Sequence, residues 1–313
     1  MRWMSYTDDN GVSRVGILTG DAGDTVRGLE PGPTLLGLLD AGEQAVAATG
    51  EALLARADHV APVADVRIEL PFEPRSIRDC AGFIQHLRNV SARTGRVIDR
   101  RYTDFPPFYF SNHAAAVGAR ADVTLAPDTR QFDFELEIGA VIGRGGEDIA
   151  VAEAESHIFG YTIFCDWSAR DIQMNERDLF GPVKGKDTAN GLGPFVVTPD
   201  ELAPFRSGKS FRLAMRAYVN GELVGQGSWD EIDWGFPDMI AYASRGTRLR
   251  PGDVIGSGTV PTGCLFEHFA TDPEHFRGWL KAGDEVRLVV EQLGEIRSRV
   301  IERGEPQRLS TGY

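Results

Sequence analysis

No stretch of the sequence approaches the roughly 18 uncharged apolar residues needed to cross a bilayer as a helix. Met1 to Gly11 carries Arg2, Asp8 and Asp9 and lacks the apolar centre of a secretory leader. Cysteine is scarce: Cys80, Cys165 and Cys264 are an odd set without a C-x-x-C pair, which suits a reducing compartment and reads as three small buried apolar residues. Positive charge is also short. The 33 basic side chains face 46 acidic ones, for a formal charge of −13, a balance that repels phosphate backbones. The expectation is a soluble, cytoplasmic protein with neither nucleic acid nor membrane as partner. An anionic small substrate stays open, because a bound cation and a few arginines invert a local field.

Nucleotide-binding spacings are missing too. Gly181 and Gly185 leave only three residues between them and Gly185-Lys186 is followed by Asp187, so the loop is no P-loop. Gly256, Gly258 and Gly263 lack dinucleotide spacing.

What is present is an ordinary globular composition, 42% hydrophobic and 25% charged, in 313 residues: enough for one large domain or two unequal ones. Residues 1–70 read as a small N-terminal domain. It contains a short strand in VSRVGILTG and a helical pattern, interrupted by glycines, in TLLGLLDAGEQAVAATGEALLARA. Pro62, Pro71 and Pro74 mark its boundary with residues 71–313. The remainder holds short β segments (DVTLAP, FDFELEIGAVIG, IFGYTIFCDW, GPFVVTP, FRLAMRAYVNGELVG, DVIGSGTV and DEVRLVVEQLGEIRSRVI), with NGEL and LGEI where hairpin turns belong. Strands do not alternate with long helices, so a mainly β, α+β fold is expected rather than a doubly wound sheet.

FDFELEIG sets Asp133, Glu135 and Glu137 two residues apart, alternating with Phe132, Phe134, Leu136 and Ile138. In one continuous strand, three carboxylates share a face at ~6.5–7 Å intervals. They repel one another unless solvated, protonated or neutralised by a cation. Hard oxygen donors suit Mg²⁺, with Ca²⁺ or Mn²⁺ as alternatives, provided other parts of the chain add ligands.

Asp166 ends the apolar run IFGYTIFCD. Ser168 and Asp171 suggest a capped helix starting at Ala169, with Arg170, Gln173 and Arg177 along one face. A guanidinium and an amide beside carboxylate-held metal make a donor surface for a developing oxyanion. Pairing of Arg170 with Asp166 or Asp171 is the alternative. Lys186, in the glycine-rich loop that follows, is a candidate proton donor.

These segments resemble the fumarylacetoacetate hydrolase family from about Asp79 to Glu267, with FDFELE and DWSARDIQ as the most specific strings. The resemblance implies a mixed β-sandwich or β-roll core with a small β-rich N-terminal domain, usually in a homodimer. It implies metal ligands Glu135, Glu137 and Asp166, leaving Asp133 as a flanking residue. Asp79 joins them at the spacing, seven residues before His86, found in the larger hydrolases. His86 is implied as the general base oriented by Glu267. Arg170, Gln173 and Lys186 are implied to stabilise and protonate a leaving carbanion, the nearby cation lowering the pKa of Lys186. SGTVPTGCLFEH resembles the family's SGT turn and supplies Thr259; PFYFSN offers Tyr109 on the substrate side. Arg177, or Arg93 and Arg96, is expected to meet a substrate carboxylate.

Departures from the family lie at Ala81 and Arg177, where tyrosines contact the substrate's distal end, and at Asn89, where shorter members have a glutamate. The expected activity is metal-dependent hydrolysis of a C–C bond in a 1,3-diketone acid such as fumarylacetoacetate, fumarylpyruvate or an acylpyruvate. Competing readings are a metal-dependent decarboxylase, tautomerase or hydratase of 2-oxo acids, and a non-catalytic relative holding a structural ion.

Overall fold

Asn220 and Gly221 both have positive φ, 52° and 84°, the backbone required by a tight two-residue hairpin. They join the strands Ala214–Val219 and Glu222–Ser228, as NGEL predicts. A second hairpin, Glu285–Val290 with Gly294–Ile301, turns at Gln292 and Gly294, again at positive φ. The two hairpins and the short strand Val123–Thr124 form one sheet, in the order Glu222–Ser228, Ala214–Val219, Glu285–Val290, Gly294–Ile301, Val123–Thr124. Met215, Ala217, Leu288 and Ile296 alternate inward and are fully buried.

The computed structural model describes residues 1–20, 23–92, 95 and 97–304. Its principal sheet runs His59–Pro62, Thr25–Gly28, Ser13–Thr19, Arg2–Thr7, Val196–Val197, Ile158–Asp166, Leu136–Ile142, Asp253–Gly256, Ser76–Cys80, Phe108–Ser111. Every residue of Leu136–Ile142 is buried, as a strand covered on both faces must be. Antiparallel pairing sets Leu136 opposite Cys165, so the start of one strand lies at the end of the next. Asp253–Gly256 runs antiparallel to Leu136–Ile142 and parallel to Ser76–Cys80. Asp79 therefore arrives at the same edge, between Gly256 and Tyr109.

Residues 1–70 continue this sheet, because Arg2–Thr7 pairs with Val196–Val197. The glycine-interrupted helical segment is two helices, Leu35–Ala41 and Glu43–Ala55, broken at Gly42, whose φ of 97° an L side chain rarely adopts. Leu35, Leu39, Val46 and Leu53 pack with Trp3, Val141 and Phe164. The class is mixed α and β with more strand than helix, on an antiparallel-dominated framework. Among the described residues no helix is long and apolar enough to cross a membrane.

Two local expectations need correction. FDFELE is not one continuous strand. Phe132–Asp133 pairs with Ser168–Ala169, pairing lapses at Phe134 and Glu135, and a separate strand begins at Leu136; all three acids are buried. Nor does Ser168 cap a helix with Asp171. The helix is Arg170–Glu176; Ser168 lies in the short strand before it and donates to the carbonyl of Asp166. Asp171 instead accepts from Thr129 and the amide of Arg130, 2.6 and 2.7 Å away.

Candidate active site

Carboxylate oxygens of Asp79, Glu135 and Glu137 lie within 4.8 Å of one another, all buried. Asp166 joins them through two side chains. The Tyr109 hydroxyl is within hydrogen-bond distance of both Asp79 Oδ2 (2.6 Å) and Asp166. Lys186 Nζ donates to Asp166 at 2.7 Å and to Glu135. Glu137 accepts from the amide of Gly258 at 2.9 Å, with the Thr259 hydroxyl at 3.4 Å. Gly256 permits the close approach of Asp79: a Cβ there would meet Asp79 Oδ1 at 2.7 Å and the Phe164 ring at 3.0 Å.

Burial sets the electrostatics. It raises the Asp79 carboxyl above its usual range, and raises Glu137 further, with Asp79 and Glu135 adding to the effect. Asp166 is pushed up to about 8 by burial against the opposing charge of Lys186. Glu135 goes the other way: burial would raise it, but Arg170, Lys186 and His86 together hold it below the usual range. The lowering expected for Lys186 rests on a bound cation; without one, its neighbours act the other way. Burial favours its neutral form, yet Asp166 and Glu135 outweigh that and keep it an ammonium in the cation-free protein.

The donor set fits a hard divalent cation. Asp79 Oδ1 and Asp166 Oδ1 are buried and accept no hydrogen bond, an arrangement that costs free energy unless a positive charge compensates it. Asp79, Glu135, Glu137 and Asp166 would hold such an ion through oxygen alone, as Mg²⁺, Ca²⁺ and Mn²⁺ prefer.

Arg170 pairs with neither Asp166 nor Asp171. Its Nε donates to Asp133 at 2.9 Å, Nη2 to Glu135 at 2.8 Å and Nη1 to Gln173 Oε1 at 3.1 Å. Arg170 thus positions Glu135 and turns Gln173 so that the amide NH₂ is its donor end. Asp133 stands outside the cluster and is fully engaged. It accepts also from the amides of Phe134, Leu265 and Phe266 at 2.8–3.0 Å, fixing the start of the helix Leu265–Thr271.

That helix carries Glu267 to His86, on the helix Ile84–Ser91. His86 Nδ1 is 2.7 Å from Glu267 Oε1, and Nε2 faces Glu135 Oε1 at 3.9 Å. Glu267 Oε2 accepts from Asn89 and, at 2.9 Å, from the amide of Thr262. With Nδ1–H donated to Glu267, Nε2 is the ring nitrogen left to take a proton.

A cavity of about 670 Å³ is lined by the chain neighbours of this pair, Leu87 and Phe266, together with Gln173, Val90, Met174 and Arg177. Arg177 ends the helix of Arg170 and Gln173 and is exposed. Arg93 and Arg96 lie outside the described residues.

The structure therefore gathers Asp79, His86, Tyr109, Glu135, Glu137, Asp166, Arg170, Gln173, Lys186, Thr259 and Glu267 at one place, with Arg177 on the adjoining wall. Sequence reasoning missed the Gly258 amide, Asn89 and the anchoring part of Asp133. A glycine at positive φ (80°) after a strand signals the first; nothing local signals the others.

Residues 75–301 match the family model of the fumarylacetoacetate (FAA) hydrolase C-terminal domain. The human mitochondrial oxaloacetate tautomerase FAHD2A is 31% identical over 297 residues, 92% of this chain and 87% of that protein. The oxaloacetate tautomerase YisK of Bacillus subtilis (strain 168) is 31% identical over 196 residues, 62% of this chain and 61% of that protein. The structure of a fumarylacetoacetate hydrolase from psychrophilic Exiguobacterium antarcticum shares the fold, with a TM-score of 0.74 at 24% identity over 97% of this chain and 100% of the other.

Proposed function

The chain belongs to the fumarylacetoacetate hydrolase family, and from that membership we propose that it forms and reprotonates the enolate of a short 2-oxo acid, in a cation-dependent oxaloacetate-type keto–enol tautomerisation. The observation that carries this reading is the placement of His86 Nε2, oriented through Nδ1 by Glu267, against the carboxylate cluster at 3.9 Å from Glu135. Relatives similar over most of this chain are named as oxaloacetate tautomerases, which supports the same choice.

A divalent cation, when bound by Asp79, Glu135, Glu137 and Asp166, supplies Lewis-acid stabilisation of negative charge on a 2-oxo acid. The rest falls to the chain itself. His86 Nε2 takes a proton from the carbon next to the ketone, and Glu267 holds the resulting imidazolium by its Nδ1–H. The Gln173 amide donates to the developing oxyanion. Arg170 keeps Gln173 and Glu135 in place. Lys186, an ammonium on Asp166 and Glu135, holds a proton at Nζ on the opposite flank. Tautomerisation requires no attacking water and releases no fragment.

A second reading, hydrolysis of the C–C bond of a 1,3-diketone acid, is favoured by a specific feature: Gln173 and the chain neighbours of His86 and Glu267, Leu87 and Phe266, line a cavity of about 670 Å³, roomy enough for both water and an acyl group. His86 would then deprotonate water, and Lys186 would protonate the departing carbanion. One experiment separates the two. The Mg²⁺-loaded protein is given enol oxaloacetate, fumarylpyruvate and acylpyruvates, and ultraviolet loss of the enol, acid products and CO₂ are followed together. Loss of enol without fragments supports tautomerisation; stoichiometric cleavage supports hydrolysis; CO₂ from oxaloacetate identifies a decarboxylase. No turnover of any substrate would sink the enolate reading.

A further inference from the structure

Beside the carboxylate cluster lies a second set of donors, His86, Cys264 and Glu267, one ligand atom from each lying within 4.8 Å of the other two. The enolate chemistry uses His86 and Glu267 but gives Cys264 no part. Cys264 is fully buried, carries no disulfide, and directly precedes the helix that bears Glu267. A ring nitrogen, a thiol sulfur and a carboxylate oxygen differ in kind from the all-oxygen cluster next to them. Magnesium and calcium avoid sulfur; zinc takes sulfur at ~2.3 Å and imidazole nitrogen at ~2.0–2.1 Å. Such bonds set tetrahedral ligand atoms roughly 3.5 Å apart, so closing this set on an ion needs movements of about 1 Å. His86 keeps 13% of its side chain exposed, and the next residue, Leu87, lines the 670 Å³ cavity, so an ion can reach the set from that side.

We propose that His86, Cys264 and Glu267 form a second, sulfur-containing cation site that takes zinc-like ions, and that filling it removes the base and stops turnover. Binding breaks the S–H bond, forms a metal–sulfur bond and sends the thiol proton to solvent, while the Nδ1 proton passes to Nε2 through solvent so that Nδ1 is free to bind the ion; nothing is oxidised. The imidazole nitrogen and the Glu267 carboxylate move from their mutual hydrogen bond to the ion, leaving the Mg²⁺ ligands untouched. Inhibition by zinc is then not relieved by excess Mg²⁺.

Two readouts on the Mg²⁺-saturated full chain test this. Co²⁺ added as a zinc surrogate is expected to give a thiolate-to-cobalt charge-transfer band that is absent in Cys264→Ala. Zn²⁺ is expected to inhibit the wild type at least tenfold more strongly than Cys264→Ala, whose activity without zinc stays within about twofold of wild type. Cys264→Ser serves in its place should the alanine variant fold poorly. Absence of a sulfur band in the wild type, or equal zinc sensitivity in the variant, overturns the proposal. The cobalt spectrum needs no substrate, so failure of the cation site and failure of the enolate chemistry are distinguishable.

Discussion

His86 and Glu267 stand 181 residues apart in the chain, yet His86 Nδ1 lies 2.7 Å from a Glu267 oxygen. Two short helices meet to make this pair, and Asp133 fixes the start of one of them. In the proposed mechanism Glu267 acts through His86 rather than on substrate. In Glu267→Gln, kcat should fall about 10²–10⁴-fold, the usual worth of a positioned acid–base group. KM and Mg²⁺ affinity should stay near wild type. An equal loss in cation affinity would show that Glu267 has a merely structural part.

Glu137→Gln removes one charge from the oxygen cluster while retaining an acceptor for the Gly258 amide. Mg²⁺ affinity, measured calorimetrically, should weaken at least 100-fold. The cation-induced stabilisation of the wild type, about 2.7 kcal/mol at 100 times Kd, should largely vanish at the same concentration. Retention of both effects would remove Glu137 from the ligand set.

Asp133→Ala leaves Arg170 buried with one of its two carboxylate partners gone and the amides of Leu265 and Phe266 without their acceptor. Breaking a buried ion pair in this way costs about 3–5 kcal/mol. Urea unfolding of the cation-free protein should show a loss of that order. A loss below about 1 kcal/mol would contradict the anchoring assignment.

Gly256→Ala places a methyl 2.7 Å from Asp79 Oδ1 and 3.0 Å from the Phe164 ring. The Asp79 carboxylate is the nearer of the two neighbours and should yield. Mg²⁺ affinity should drop roughly tenfold, with the unfolding midpoint lowered only modestly. Wild-type affinity in this variant would mean that Asp79 is not held by close packing.

Local signals in the sequence carried far. Asn220-Gly221 announces its hairpin because two positive-φ residues in a row admit few alternatives. Asp79 and His86 were legible together only through the seven-residue spacing of the family they resemble, which the strand Ser76–Cys80 and the helix Ile84–Ser91 accommodate. The acidic string was legible as chemistry but not as geometry. Both halves pair in one antiparallel register with the segment that runs through Cys165 and Ser168, and the regular ladder is interrupted only at Phe134 and Glu135, opposite Trp167 and Asp166, which the string itself does not signal. The partners of Arg170 were equally hidden. Asp133 and Glu135 come from a segment more than 30 residues away, while Asp166 and Asp171 are the near neighbours that sequence favours. Lys186 likewise stays an ammonium for a reason visible only in three dimensions, the two carboxylates that close on it. Cys264 reads correctly as a buried small residue, yet its nearness to His86 depends on the same helix meeting that pairs His86 with Glu267.

In the proposed reaction His86 is the base that makes the enolate. The most direct measurement is exchange of the C3 protons of oxaloacetate into D₂O, followed by proton NMR. Mg²⁺-loaded protein should accelerate exchange well above the spontaneous rate. His86→Ala should lower the enzymatic rate at least 100-fold, and chelator should return the wild type to the spontaneous rate. Exchange no faster than the spontaneous rate with the cation-loaded wild type, or undiminished in His86→Ala, would contradict the account.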